Sequence, residues 1–208
     1  MSKQRVTFVH GFNVSDNGFG TIGRLAAKFR EDPRYEVIEF ETGERGFMDV
    51  RLNNPRLSQQ LANIIQPGDL LIGHSDGCNL IDKALHAKDS FHPGRVNCVY
   101  VNPALDRDTA LSSVVSKCLV FHTQSDKVVF LSKFRPFMAW GEMGMSGYRA
   151  TRPSLHDKRY MNVSYESIGH HGLGHSGVFK SPIALNACFE VIEDEFLSIP
   201  KAILIQEP

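Results

Sequence analysis

Asp69-Leu70-Leu71-Ile72-Gly73-His74-Ser75-Asp76-Gly77-Cys78-Asn79-Leu80-Ile81-Asp82-Lys83-Ala84-Leu85 joins a short apolar run to an amphipathic one through a single serine. Asp69 to Gly73, apolar after its first residue, reads as a buried strand, and Cys78 to His86 has helical spacing. A serine becomes a nucleophile where its hydroxyl stands clear of the sheet, beside a base and near N–H donors for a developing oxyanion. A strand turning sharply into a helix provides that position but strains the serine backbone. The residues two before and two after must then be small, a condition met by Gly73 and Gly77. A bare G-x-S-x-G occurs often by chance, and such a turn can simply connect two elements, so the flanking strand and helix carry the reading. Asp76 opens the helix, where the macrodipole favours a carboxylate.

Working outward, short β-branched runs alternate with longer amphipathic segments. Val6 to His10, Tyr35 to Glu41, Val96 to Val101, Cys118 to His122 and Tyr160 to Tyr165 read as further strands. Thr21 to Arg30, Leu57 to Ile65 and Pro182 to Leu197 read as helices, with a shorter one over Thr109 to Val115. Leu131 to Arg159 has no single reading: Phe134, Phe137, Met138 and Trp140 share a helical face, and an irregular loop follows. The alternation predicts an α/β class chain, a three-layer α/β/α sandwich around a mostly parallel sheet. No linker-like segment interrupts it, so residues 1–208 are expected to form one domain.

Composition narrows the partners. The 208 residues are 42% hydrophobic and 22% charged, which suits a globular core. Lys+Arg and Asp+Glu balance at 23 each with no like-charge run, which argues against a nucleic-acid partner. No stretch approaches the roughly 18 apolar residues of a membrane span, and the N-terminus lacks a signal-peptide pattern. Cys78, Cys98, Cys118 and Cys188 lie far apart without a CxxC pair, so reduced core thiols in a cytoplasmic protein are expected. Oligomeric state is not legible.

A second oxyanion donor is expected from the loop after an earlier strand. Val9-His10-Gly11-Phe12 has the right chain order, and Gly11 lets backbone approach a substrate closely. The amides of Phe12 and Asp76 are the candidate oxyanion hole, with His10 bracing the loop by hydrogen bonds.

The pairing of His10-Gly11-Phe12 with Gly73-His74-Ser75-Asp76-Gly77 resembles the α/β-hydrolase family over most of the chain, from about Val6 to Leu197. The resemblance implies a compact, lidless, esterase-like member whose triad runs serine, acid, histidine on loops at the carboxyl ends of parallel strands. The family's first two strands are missing, which implies about six. No cofactor is implied. The family pattern puts the acid after the strand beginning at Cys118, at Asp126 within Ser125-Asp126-Lys127-Val128-Val129. Asp126 would also suit a helix cap, and Asp106 and Asp108 are competing acids. The pattern puts the base in Gly169-His170-His171-Gly172-Leu173-Gly174-His175-Ser176-Gly177, with His175 the choice and His171 the alternative.

A metal site formed by His170, His171 and His175 with His156 or Asp157 is the competing reading of that loop, though Gly172 and Gly174 oppose the helix that would align its ligands. His86, His92 and His122 read as surface or structural histidines. The segment from Asn102 to Lys117 is too short for a helical lid, which points to an open cleft and small soluble acyl substrates. Phe134, Phe137, Met138, Trp140 and Met143 are either acyl-pocket lining or plain core. The expected activity is serine hydrolysis of a carboxylic ester-like acyl bond. Amidase, thioesterase or acyltransferase chemistry on the same triad, or a non-catalytic binding role, are the alternatives.

Overall fold

The computed structural model describes residues 3–12, 16, 18–43, 47–88, 95–132, 141–152 and 156–197. Among these, six strands, β1 (Gln4–Val9), β2 (Tyr35–Phe40), β3 (Leu70–His74), β4 (Val96–Val101), β5 (Val115–His122) and β6 (Tyr160–Ser164), form one sheet in the order β2-β1-β3-β4-β5-β6. All five neighbouring pairs are parallel. Among the described residues, seven α-helices connect or flank them: α1 (Ile22–Arg30), α2 (Phe47–Ile64), α3 (Asp76–Lys88), α4 (Lys127–Ser132), α5 (Met143–Ser146), α6 (Gly177–Lys180) and α7 (Pro182–Phe196). The expected α/β/α sandwich is what forms.

The layers follow from period two along each strand. Leu71, Cys98, Tyr100, Cys118 and Val120 point to one face and pack with Leu57 and Leu61 of α2 and Leu80, Ile81 and Ala84 of α3. Their neighbours Leu70, Ile72, Val99, Val101, Leu119 and Phe121 point to the other, against α1, α6 and α7. Both faces are covered, so the central strands carry nearly continuous apolar runs, such as Leu70 to Ile72 and Val99 to Val101, rather than a strict alternation with polar residues. Each fully buried Leu, Ile, Val or Phe side chain contributes about 1.5–3 kcal/mol. All four cysteines are buried and unpaired, and burial pushes the Cys188 thiol up to about 12.

Order within the sheet positions the site. From β1 the chain steps to β2 at one edge, then crosses back so that β3 lies on the opposite side of β1. The loops leaving β1 and β3 therefore diverge at their carboxyl ends, the crevice where open parallel sheets bind ligands. His74 is level with Val101, Val101 with Phe121, and Phe121 with Val163, so the loops after β3 to β6 start at one height.

Two segments depart from expectation. The helix expected from Leu57 begins at Phe47 and carries Pro55 inside it. Proline usually marks a boundary because it lacks an N–H, but Asn54 beside it is buried and bonded to Asp76, which anchors that turn. Thr109 to Val115 is not a helix; it runs as loop and turn into β5. Its carbonyls are held from outside by Arg159, whose guanidinium donates to Leu111 O (3.0 Å), Ser112 O (2.7 Å) and Val115 O (2.9 Å). Among the described residues no helix is long and apolar enough to cross a membrane. Phe134, Phe137, Met138, Trp140 and His92 lie outside the described residues; Met143 is buried core.

Candidate active site

Ser75 sits between β3 and α3 with φ 57°, and Asn102 (φ 46°) is the other described non-glycine residue in the left-handed region. Such a backbone persists only where its surroundings hold it. Here the Ser75 N–H donates to Val101 O (3.1 Å), and the Ser75 carbonyl accepts from Cys78 N–H (3.1 Å) and Ala104 N–H (3.2 Å). The flanking glycines are required by contact. A Cβ on Gly77 would lie 2.2 Å from Val9 O, and one on Gly73 would lie 2.9 Å from Cys78 N. Gly11 brings the loop after β1 against the same serine, since a Cβ there would sit 2.9 Å from Ser75 Cβ and 3.4 Å from its Oγ.

His175 comes from the loop after β6. Its Nε2 is 2.8 Å from Ser75 Oγ and its Nδ1 is 2.8 Å from Asp126 Oδ2, so the three side chains form one hydrogen-bonded row. Asp126 follows β5, is fully buried, and accepts from Val129 N–H at Oδ1 (3.2 Å) and from Asn102 Nδ2 at Oδ2 (3.1 Å). Burial by itself would push its carboxyl up, but the hydrogen bond and charge of His175, with those donors, hold it below the usual carboxylate value. An ionised carboxylate only accepts, so His175 Nδ1 carries the proton and Nε2 offers its lone pair to the Ser75 hydroxyl. The arrangement can take a proton from Ser75 and stabilise the imidazolium that results.

His171 is exposed elsewhere on the loop, and Asp106 and Asp108 are exposed beyond β4. His175 meets Asp126 instead. Among the described residues no group of three or more His, Cys, Asp or Glu is gathered as a metal ion would need. His10 braces its loop, with Nδ1 3.0 Å from Gly11 O and Nε2 2.9 Å from Thr42 Oγ1. Asp76 opens α3 as expected but is fully buried, accepting from Asn54 Nδ2 (3.1 and 3.2 Å) and Asn79 Nδ2 (3.2 Å). His86 is exposed and half-buried His122 is pushed down by burial.

No protein-family model matches the chain, and no curated protein sequence does. Solved structures do match. Alpha/beta hydrolase domain-containing protein 10 from mouse superposes with a TM-score of 0.58 at 13% identity, over 93% of this chain and 89% of that one. Lipase B of Aspergillus fumigatus gives 0.56 at 15% identity over 92% of this chain, which spans only 52% of the lipase chain. A putative esterase from Staphylococcus aureus gives 0.54 at 11% identity, over 94% and 76%.

The chain has the α/β-hydrolase fold. Within that fold, Ser75 occupies the turn after a central strand, and Asp126 and His175 come from loops after β5 and β6.

Several supporting residues carried no signal at the sequence level. His74 is buried beneath His175, with ring centroids 4.9 Å apart, and its Nε2–H donates to His175 O (3.2 Å). Burial first, then the nearby His175, pushes His74 down to about 3, so its ring is neutral. Glu166 accepts from Thr123 Oγ1 (2.6 Å), Gln124 N–H (3.1 Å) and Ser164 Oγ. Because Thr123 spends its proton on Glu166, Ser125 Oγ–H donates to Thr123 Oγ1 (2.8 Å) and accepts from Gly174 N–H (2.9 Å). That relay fixes the residue just before His175. Asn102 is of a residue type that tolerates the left-handed region it occupies at the end of β4.

Proposed function

We propose that residues 1–208 form a single hydrolase domain that cleaves a carboxylic ester-like acyl bond with Ser75 as nucleophile. His175 takes the Ser75 proton as the hydroxyl oxygen attacks the carbonyl carbon, and Asp126 orients the imidazole and stabilises its charge. The Phe12 and Asp76 amides receive the oxyanion. The tetrahedral intermediate collapses, His175 gives its proton to the departing alkoxide, and the acyl group remains on Ser75 Oγ. Water, deprotonated by His175, then releases the acid and restores the serine. The observation that carries this reading is the unbroken row from Ser75 Oγ to His175 to Asp126, with both links at 2.8 Å. It is supported by the left-handed backbone at Ser75 and by the backbone of Gly11 lying against the serine.

The short loop between β4 and β5 leaves the cleft without an inserted helical lid at that point, which favours small soluble acyl groups over long lipid chains. Four unpaired thiols favour a reducing, cytoplasmic setting. A fluorophosphonate probe tests the reading directly. Wild type is expected to label, and Ser75→Ala and His175→Ala are not; an unlabelled wild type, or labelled Ser75→Ala, overturns it. A panel of ester, thioester and amide substrates then fixes the leaving group, and turnover of long-chain esters clearly above acetyl or butyryl ones overturns the small-acyl preference.

A further inference from the structure

The turn that ends β4 bonds both the nucleophile and the acid of the row and reaches the residue before the base. Asn102 is fully buried, stands in the left-handed region, and is followed by Pro103. The residues on either side of it hold the nucleophile: Val101 O accepts from Ser75 N–H (3.1 Å) and Ala104 N–H donates to Ser75 O (3.2 Å). Its own side chain reaches the acid. Nδ2 donates to Asp126 Oδ2 at 3.1 Å, the same oxygen that accepts from His175 Nδ1. The nitrogen also faces Gly174 O at 3.5 Å, next to the base. Both of these neighbours are acceptors, so the amide must present its NH2 to them.

Two features mark this placement as costly unless it serves the site. A non-glycine residue in the left-handed region is strained, and Asn102 Oδ1 is buried with no hydrogen-bond partner among the described residues. If Asn102 only filled a turn, glycine would do so with no strain and no orphaned oxygen. What glycine lacks is a donor for Asp126.

We propose that Asn102 is a positioning residue of the Ser75 site: its amide pins Asp126 Oδ2 so that one carboxylate oxygen stays aimed at His175 Nδ1. The inference rests on the serine-hydrolase reading above. Asp126 Oδ1 is held by Val129 N–H, so with Oδ2 pinned by Asn102 the carboxylate is fixed at both ends and cannot rotate away. The imidazole it aims then stays within hydrogen-bond reach of Ser75, and a small misplacement there is expensive in rate. The test compares Asn102→Gly, which keeps the turn and loses the donor, with Asn102→Asp, which keeps the shape and replaces the donor with an acceptor. The readout is the labelling of Ser75 by the fluorophosphonate probe, split into maximal rate and half-saturating concentration, with circular dichroism to check folding.

Both variants are expected to label at least about tenfold more slowly at saturation, with half-saturation within about twofold of wild type. Asn102→Asp should be at least as slow as Asn102→Gly. If Asn102→Gly labels within twofold of wild type, only the turn matters and the proposal is overturned; so too if Asn102→Asp labels normally. Either variant can carry the test if the other fails to fold. A wild type that does not label overturns the serine reading and this inference with it, whereas normal labelling in the variants overturns this inference alone.

Discussion

Substituting His74 should change how stability depends on pH, by an amount that follows from its burial. The folded ring is pushed down to about 3, from an ordinary value of 6.5, by burial and by the nearby His175. Between those two values the unfolded chain holds a proton on this ring and the folded chain does not. Stability from this group is therefore fully present above pH 6.5, falls as pH drops, and levels off below about 3. Each pH unit inside the window costs about 1.4 kcal/mol, so the loss at pH 5 is about 2 kcal/mol. Glutamine at this position can still donate to the His175 carbonyl but does not titrate. Eight other histidines also contribute, so the informative quantity is the difference between wild type and His74→Gln. Urea unfolding followed by circular dichroism, near neutral pH and at pH 5, measures it. Wild type should lose about 2 kcal/mol more than the variant over that interval. Equal losses would refute the reasoning and mean that water or charge reaches this ring in the folded state.

Two further substitutions test how the site is supported. Gly77→Ala would bring a methyl within 2.2 Å of the Val9 backbone carbonyl, which cannot swing aside as a side chain could, and should cost about 3 kcal/mol or more; thermal melting unchanged from wild type would contradict the close approach of α3 to β1. Arg159→Ala strips a charged donor from three loop carbonyls and should cost about 2 kcal/mol by denaturant unfolding, and lysine should not restore it because an ammonium cannot reproduce the planar fork. A lysine variant as stable as wild type would show that charge rather than geometry holds that loop.

The central strands were legible because they are buried on both faces, which leaves nearly continuous apolar runs such as Leu70 to Ile72 and Val99 to Val101 between turn signals. The errors came where a distant residue decides local structure. Residues 109–115 have apolar spacing suited to a helix, yet Arg159, more than forty positions later, holds this segment's carbonyls in a loop. Helix α2 continues back through Pro55 because Asn54 is tied to Asp76, twenty-two residues away in sequence.

At the candidate site the division is similar. Local sequence displayed the Gly-x-Ser-x-Gly turn and the glycine at position 11, because small residues at fixed offsets are visible in the chain itself, although the atoms that demand them at Gly77 and Gly11, Val9 O and Ser75 Cβ, are distant in sequence. It also determined the order in which serine, candidate acids and candidate histidines occur. Through the family resemblance it favoured His175 over His171 and Asp126 over the aspartates after β4, but it held no reason in space for either choice. Those choices depend on how loops from β5 and β6 cross the sheet end: Ser125 grips Gly174, His74 holds the His175 carbonyl, and Asn102 meets Asp126. Each of these contacts joins residues at least 24 positions apart, and directional hydrogen bonds at such separation leave no periodicity or composition for a single sequence to reveal.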